Sequence, residues 1–514
     1  MSFFPDRRSP VALHRQLAAH LRDAIVAGEL GGGTRLHASR VLAEQLGVSR
    51  NTVTQAIDQL VAEGYLETRI GAGTYVVHGL VQRAHDTDEA SAQEAPRLSA
   101  RARRLPRRTL DPDGGSEPKL FRPGVPDPAL FPDAVWRRVA NRWLDGAPTR
   151  GYGDPCGYRP LREAIATHLR QTRGVAHGAG NVIVVEGTRA ALALIADVLL
   201  DPGDVLAIED PGYAAMREAA DAAGAVTAGV PLDDEGFDVA RAPANARLAY
   251  VTPSHQYPTG VVMGLRRRLE LLAWARAAGA YVVEDDYDAE FRYDGAPLPA
   301  LQALDPSTGS GNAARVLYVG TFSKTLAPGL RVAWIVVPDA LVDAFTAARA
   351  VVSGGPAFPV QAALAAFVAE GHFALHVRRA SARYRERRDA LVGVLERRLA
   401  GVVRVQGAAT GLHVVARFEP NAAGTAAAND AGAAGAVAGD AAVSAAAAAQ
   451  DVVAPALSAY ALHDRAANGL VLGFAAGDPP AIERAGERLA RVFDDLRHPA
   501  RAANRPSTGT SPAV

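Results

Sequence analysis

Residues 320–334 read Gly-Thr-Phe-Ser-Lys-Thr-Leu-Ala-Pro-Gly-Leu-Arg-Val-Ala-Trp, and Lys324 within them is one of only two lysines in the 514-residue chain. The other is Lys119; arginine supplies the rest of the 55 lysines and arginines. A guanidinium stays protonated in a protein, whereas a lysine amine can lose its proton when buried and then act as a nucleophile. Codon bias could explain the scarcity alone, so the neighbours matter. An apolar run, Arg315-Val-Leu-Tyr-Val-Gly320, leads into Thr321, Ser323 and Lys324, with Arg331 downstream. Amine, hydroxyls and guanidinium at one strand end suit a phosphorylated aldehyde. The amine bonds the carbonyl carbon, and the other groups hold the phosphate.

Two other apolar runs end in polar chemistry. Asn181-Val-Ile-Val-Val-Glu-Gly187-Thr188 reads as a buried strand turning into a helix that starts at Arg189. Such a junction aims free N–H groups and a helix dipole at an anion, although many α/β loops contain Gly-Thr. Ala280-Tyr-Val-Val-Glu-Asp-Asp-Tyr-Asp288 reads as a strand ending in acids. Those acids fit either a ligand site at the carboxyl end of a parallel sheet or an ordinary solvated loop. Strand-like runs alternate with helical ones from Lys119 onward, an α/β pattern with a mainly parallel sheet.

The length calls for more than one domain. Hydrophobic residues make up 48% and charged residues 21%, and the formal net charge is +0, so no global field points to nucleic acid or membrane. A single cysteine excludes an internal disulfide and suits a reducing cytoplasm. The first residues lack a signal-peptide core, and no apolar run is long enough to span a membrane. The composition divides the chain into a helical unit at 9–78, an Arg/Asp/Ser/Pro-rich linker at 79–118, and a large domain at 119–497. Within the last, 419–454 is an Ala-rich low-complexity stretch expected to be a mobile insertion, and 498–514 is expected to be a disordered tail.

In the first unit, Ser9-Pro10 can cap a helix along which Leu13, Leu17, Leu21 and Ile25 repeat every four residues. A second short helix begins near Ser39, and Ser49 caps a third with Val53, Ile57 and Leu60 on one face. Its other face shows Arg50, Asn51, Thr54, Gln55 and Asp58, suited to phosphates and base edges in a major groove. Two short β runs around Gly71-Ala-Gly73 form a wing. Eight arginines against seven acids in residues 1–80 leave the unit barely basic, so a helical docking module with a solvated face also fits. The run 96–108 adds six arginines and no acid.

The stretches Leu46-Gly-Val-Ser-Arg-Asn-Thr-Val53, Glu63-Gly-Tyr-Leu66 and Gly71-x-Gly-Thr-Tyr-Val76 resemble the winged helix-turn-helix of the GntR family of bacterial regulators. Leu36-His-Ala38 departs from the usual Leu-Pro-Ser. The resemblance implies binding of double-stranded promoter DNA through Arg40, Ser49, Arg50, Asn51, Thr52, Thr54 and Gln55. The three strand ends, in the order anion loop, aspartate, lysine, resemble the fold-type I pyridoxal-phosphate enzymes, with large and small subdomains. This likeness implies a Schiff base at Lys324, Asp285 on the ring nitrogen and Tyr287 on the phenolic oxygen. Gly187, Thr188, Thr321, Ser323 and Arg331 hold the phosphate in that scheme, Tyr213 stacks on the ring, and Tyr152 reaches the phosphate of a partner subunit in a homodimer. No metal is implied.

Both modules in this order resemble the MocR type of regulator, carried also by Thr252-Pro-Ser-His-Gln-Tyr-Pro-Thr-Gly260, Gly411-Leu-His413 and Leu472-Gly-Phe474. The implied function is a cytoplasmic, pyridoxal 5'-phosphate-binding transcription regulator. It senses an amino compound, or the cofactor itself, through Lys324. The alternatives are a working aminotransferase with an accessory DNA unit and a cofactor-free dimerisation scaffold. Three departures bear on the choice. Tyr257-Pro-Thr-Gly stands where aminotransferases usually carry Asn-Pro-x-Gly. Val471 occupies the place of the arginine that grips a substrate carboxylate, so at most partial transamination is expected. Glu186 puts a charge beside the anion loop unless it points away.

Overall fold

A computed structural model describes residues 3–69, 71–78, 97–104, 119–143, 151–295, 298–307, 313–352, 355–419, 439–463 and 468–497. The chain divides into two compact units, Met1–Arg97 and Leu98–Val514.

In the first unit, helices Leu13–Val26, Ser39–Gln45 and Arg50–Ala62 enclose a core of Leu17, Leu21, Ile25, Leu42, Val53, Ile57 and Leu60. Burying each large side chain contributes about 1.5–3 kcal/mol. The first helix starts at Leu13 rather than at Pro10. Ser9 Oγ accepts from the Val11 amide at 3.2 Å and so holds a turn ahead of the helix. Strands β1 (Leu66–Arg69) and β2 (Gly73–Val76) pair antiparallel as the wing, and Arg35 bridges to Tyr75 as a third edge.

The second unit is built on an eight-stranded sheet. Its strands are β3 (Val182–Val185), β4 (Val205–Asp210), β5 (Val226–Asp233), β6 (Gly236–Phe237), β7 (Ala246–Val251), β8 (Tyr281–Asp285), β9 (Val316–Thr321) and β10 (Ala333–Val336), in the order β3-β10-β9-β8-β7-β4-β5-β6. The run from β5 through β4, β7 and β8 to β9 is parallel, and β10 is antiparallel to β9 and β3. All four residues of β3 and all six of β9 are buried, as expected for a sheet covered on both faces. The parallel strands aim their carboxyl ends at one edge, where Asp285 and Thr321 lie. A smaller antiparallel sheet, β11 (Val403–Gln406), β12 (His413–Phe418) and β13 (Gly469–Gly473), shares a core with helices His372–Arg398 and Pro479–Arg497.

Two linker-type expectations change. Within the Ala-rich stretch, Asp440–Ala448 is a helix whose Val443 and Ala447 are fully buried. Its first residue is fixed by chemistry: Ser458 Oγ donates to Asp440 Oδ1 at 2.6 Å and the Ser458 amide to Oδ2 at 2.8 Å. Hence 439–454 is a packed part of the domain, not a mobile insertion, while residues 420–438 lie outside the described residues. In the arginine-rich run, Ala100–Arg104 is a helix, and Arg101 pairs with Asp197 at 3.0 Å. The rest of the linker, apart from 97–99, and the tail 498–514 lie outside the described residues. Among the described residues no single helix is long and apolar enough to cross a membrane.

Candidate functional site: a lysine-bearing cavity

A cavity of about 220 Å³ opens at the carboxyl ends of the parallel strands. Lys324, Asp285, Tyr287, Thr188, Tyr213, Ser323 and Arg331 all line it. The structure therefore brings together seven of the residues singled out from sequence. Gly187 and Thr321 stand one step behind, and Tyr152 is fully exposed elsewhere on the surface.

The acids at the end of β8 are not a solvated loop, because Glu284 and Asp285, its last two residues, and Asp286 just after it are all buried. They separate by direction. Glu284 accepts from the backbone amides of Leu301 at 2.8 Å and Gln302 at 3.0 Å, and lies 3.6 Å from Arg268. Asp286 pairs with Arg173 at 2.7 Å and accepts from Tyr318. Of the three, only Asp285 faces the cavity. The Tyr250 hydroxyl, on neighbouring β7, donates to Asp285 Oδ2 at 2.7 Å, and Oδ1 has no partner. Burial pushes the Asp285 carboxyl up to about 7, opposed by the Tyr250 hydrogen bond and, less, by the Lys324 charge. A buried carboxylate oxygen without a donor calls for one from a ligand.

Lys324 follows β9, and its Nζ donates to the Gly124 carbonyl at 2.6 Å. Burial lowers its pKa, against the opposing pull of Asp288 and Asp285, which favours the neutral, nucleophilic amine. Thr321 Oγ1 accepts from the Ser323 amide at 3.0 Å, so Thr321 shapes the turn that presents Ser323.

The anion loop is built around Gly187, which caps helix Thr188–Leu199 at φ +101°. A Cβ here would lie 2.8 Å from Arg331 Nη2, so only glycine admits the guanidinium. Arg331 holds a left-handed backbone at φ +53° and donates to the Glu186 carbonyl at 2.9 Å. Non-glycine residues in that conformation concentrate at ligand sites. The Glu186 carboxylate is turned to Arg349 at 2.9 Å, which answers the objection its charge raised.

A second group, not named as site residues from the sequence, completes the cavity: Tyr257, Asp288 and His413 line it, with His255 behind them. His255 Nδ1 lies 3.0 Å from Asp288 Oδ2, and the Tyr287 hydroxyl donates to the His255 carbonyl at 2.9 Å. His413 Nε2 donates to the Pro258 carbonyl at 2.9 Å, and burial drives its pKa well below the usual range, so it is neutral. The Tyr257 hydroxyl donates to Tyr460 at 3.2 Å. The signal for part of this was present in Gly411-Leu-His413. A Cβ on Gly411 would fall 2.0 Å from His255 Nδ1 and 2.4 Å from Asp288 Oδ2. Among the described residues, His255, Asp288 and His413 bring ligand-type atoms within 4.8 Å of one another, and His255 Nε2 is buried without a partner.

In the N-terminal unit, Arg40, Ser49, Arg50, Asn51, Thr54 and Gln55 are exposed, and Thr52 is half-buried. Ser49 Oγ accepts from the Thr52 amide at 3.1 Å, and the two hydroxyls lie 2.8 Å apart. This cap starts the third helix with its polar face outward.

Residues 124–489 match the family described as Aminotransferase class I and II, and residues 13–76 match Bacterial regulatory proteins, gntR family. The chain is 38% identical over 494 residues, 95% of each protein, to the "Probable rhizopine catabolism regulatory protein MocR" of Rhizobium meliloti. It is 33% identical over 389 residues, 75% of this chain and 79% of the other, to the HTH-type pyridoxine biosynthesis transcriptional regulator PdxR of Corynebacterium glutamicum. Among solved structures, the α-aminoadipate aminotransferase LysN of Thermus thermophilus, complexed with N-(5'-phosphopyridoxyl)-L-leucine, superposes with a TM-score of 0.66 at 26% identity, covering 78% of this chain and 97% of that one.

Proposed function

This chain belongs to the MocR-type regulators, in which a gntR-family DNA reader is joined to an aminotransferase class I and II domain, and from that premise we propose that it is a transcription regulator whose large domain senses an amine through pyridoxal 5'-phosphate. The observation that carries the sensing is the unpartnered Asp285 Oδ1 in the same cavity as Lys324. A protonated pyridine nitrogen would supply the donor that oxygen lacks, and Asp285 would then hold the ring as an electron sink. The cofactor's own contribution is a reactive aldehyde carbon.

The protein's groups divide the work. Lys324 Nζ, whose pKa burial lowers, would anchor the cofactor at that carbon. Thr188, Ser323 and Arg331 hold the phosphate at the helix N-terminus, with Gly187 giving access and Thr321 setting the Ser323 turn. Tyr213 walls the ring, and Tyr287 donates to its phenolic oxygen in exchange for the His255 carbonyl. Tyr152, fully exposed in the single chain, completes the phosphate site of a second copy, so the working form is a homodimer. Arg40, Ser49, Arg50, Asn51, Thr52, Thr54 and Gln55 meet promoter DNA in the cytoplasm. The effector binds the two states of the large domain unequally, and that difference shifts the DNA readers.

Lys324 and Asp285 also suit transamination, whereas Val471 removes the guanidinium expected to hold an amino-acid substrate. Anisotropy titration of labelled DNA from upstream of the protein's own gene tests the regulatory reading. Affinity should change severalfold between cofactor-free and cofactor-loaded protein. Identical, salt-independent retention of unrelated DNA would sink it.

A further inference from the structure

We propose that the effector is a primary amine without a carboxylate, seated against Tyr213, Tyr257 and His413. This rests on the sensor reading above and narrows it to a chemical class. Val471 shows why. Its side chain is fully buried with Val415 and Leu457, and Tyr460 packs over the three. Its amide donates to the Pro455 carbonyl at 2.9 Å, which locks β13 there. The position from which a guanidinium would reach a carboxylate is thus filled by an apolar cluster against which Tyr460 packs, and Tyr460 in turn accepts from the Tyr257 hydroxyl at the cavity wall.

No other described cation lining the cavity takes over the task. These are Lys324, Arg189 and Arg331. Lys324 bonds the cofactor, Arg331 is held against the anion loop at Gly187, and Arg189 is paired with Glu218. What remains is rich in acceptors. The Asp288 carboxyl lines the cavity and its Oδ2 accepts from the Leu412 amide at 3.2 Å. His413 spends its one N–H on Pro258, leaving Nδ1 as a lone pair. The Tyr257 proton goes to Tyr460, leaving the Tyr257 oxygen to accept. An ammonium or a hydroxyl entering this space finds partners. Among the described residues lining the cavity, a carboxylate would lose its water and meet only guanidiniums already held by the anion loop or by Glu218; an unpaired buried ion costs several kcal/mol.

The test titrates cofactor-loaded protein with two matched pairs: L-alanine against L-alaninol, and β-alanine against 3-amino-1-propanol. Binding is followed by the shift of the visible cofactor band. Each alcohol should bind at least tenfold more tightly than its carboxylate twin, at 50 mM salt and at 300 mM. A carboxylate that binds as tightly as its alcohol overturns the inference while leaving the sensor reading intact, as do four amines that all leave the band unmoved. A protein that acquires no visible band with the cofactor overturns both.

Discussion

Tyr250 donates its hydroxyl to Asp285 Oδ2 at 2.7 Å and leaves Oδ1 without a partner, so half of this buried carboxyl is satisfied by the protein and half is open to a ligand. The arrangement has a pH consequence. In the cofactor-free chain burial raises the Asp285 pKa to about 7, whereas an unfolded aspartate titrates near ~3.9. The folded state holds the proton more tightly. The resulting stability is complete below the unfolded pKa and is lost as pH rises through about 7. Glu209, also raised to about 7 by burial, adds a slope of the same sign. Asp285→Asn should therefore flatten, without abolishing, the fall in denaturant midpoint between pH 5 and pH 8. The difference should be about 1–3 kcal/mol. Parallel curves for wild type and variant would show that Asp285 does not titrate there.

Gly187 and Arg331 make the second prediction. Alanine at 187 puts a Cβ 2.8 Å from Arg331 Nη2 and places a side chain at φ +101°. The guanidinium must move away from the anion loop. Gly187→Ala should weaken binding of pyridoxal phosphate by about tenfold or more, the loss of one charge-assisted contact, and should weaken free pyridoxal far less. Equal losses for both compounds would remove Arg331 from phosphate binding.

How much of this was legible in the sequence depends on whether a signal runs along the chain or across it. Lys324, Asp285, Gly187 and the winged unit are marked by local strings: strand, then turn, then chemistry. Tyr250, His255 and Tyr460 are not, because they reach the site from neighbouring strands and turns. Among the three acids at the end of β8, sequence could not say which faced the cavity, since that depends on Arg173, Arg268 and the Leu301 amide packing from elsewhere. The Ala-rich stretch misled for the opposite reason. Its composition is that of a linker, yet Asp440, Val443 and Ala447 carry enough specific contact to fix a helix.

That helix gives a stability prediction. Asp440 accepts from Ser458 Oγ, the Ser458 amide and, at 3.3 Å, the Gly469 amide, while 4% exposed. Asp440→Ala leaves these donors unmet and should cost about 2–4 kcal/mol. Thermal unfolding should show a Tm lower by several degrees. An unchanged Tm would mean that the helix contributes nothing to the domain.

The DNA face is tested by Arg50. Its side chain lies on the exposed side of the third helix, with Nε 3.4 Å from Ser39 Oγ. Arg50→Ala should weaken specific DNA by roughly 1–3 kcal/mol if it reads a base, or reduce the salt slope by about one ion if it meets a phosphate. The cofactor band should not move in either case. Unaltered DNA affinity at moderate salt would place the contact elsewhere.

The account turns on Lys324 as the covalent handle of a sensor, and a chain with two lysines offers an unusually clean measurement. Cofactor-loaded protein is reduced with borohydride, digested and mapped by mass spectrometry. The prediction is a stoichiometric phosphopyridoxyl adduct on the peptide carrying Lys324 and none on the peptide carrying Lys119. No adduct at Lys324, or equal labelling of both lysines, would contradict it.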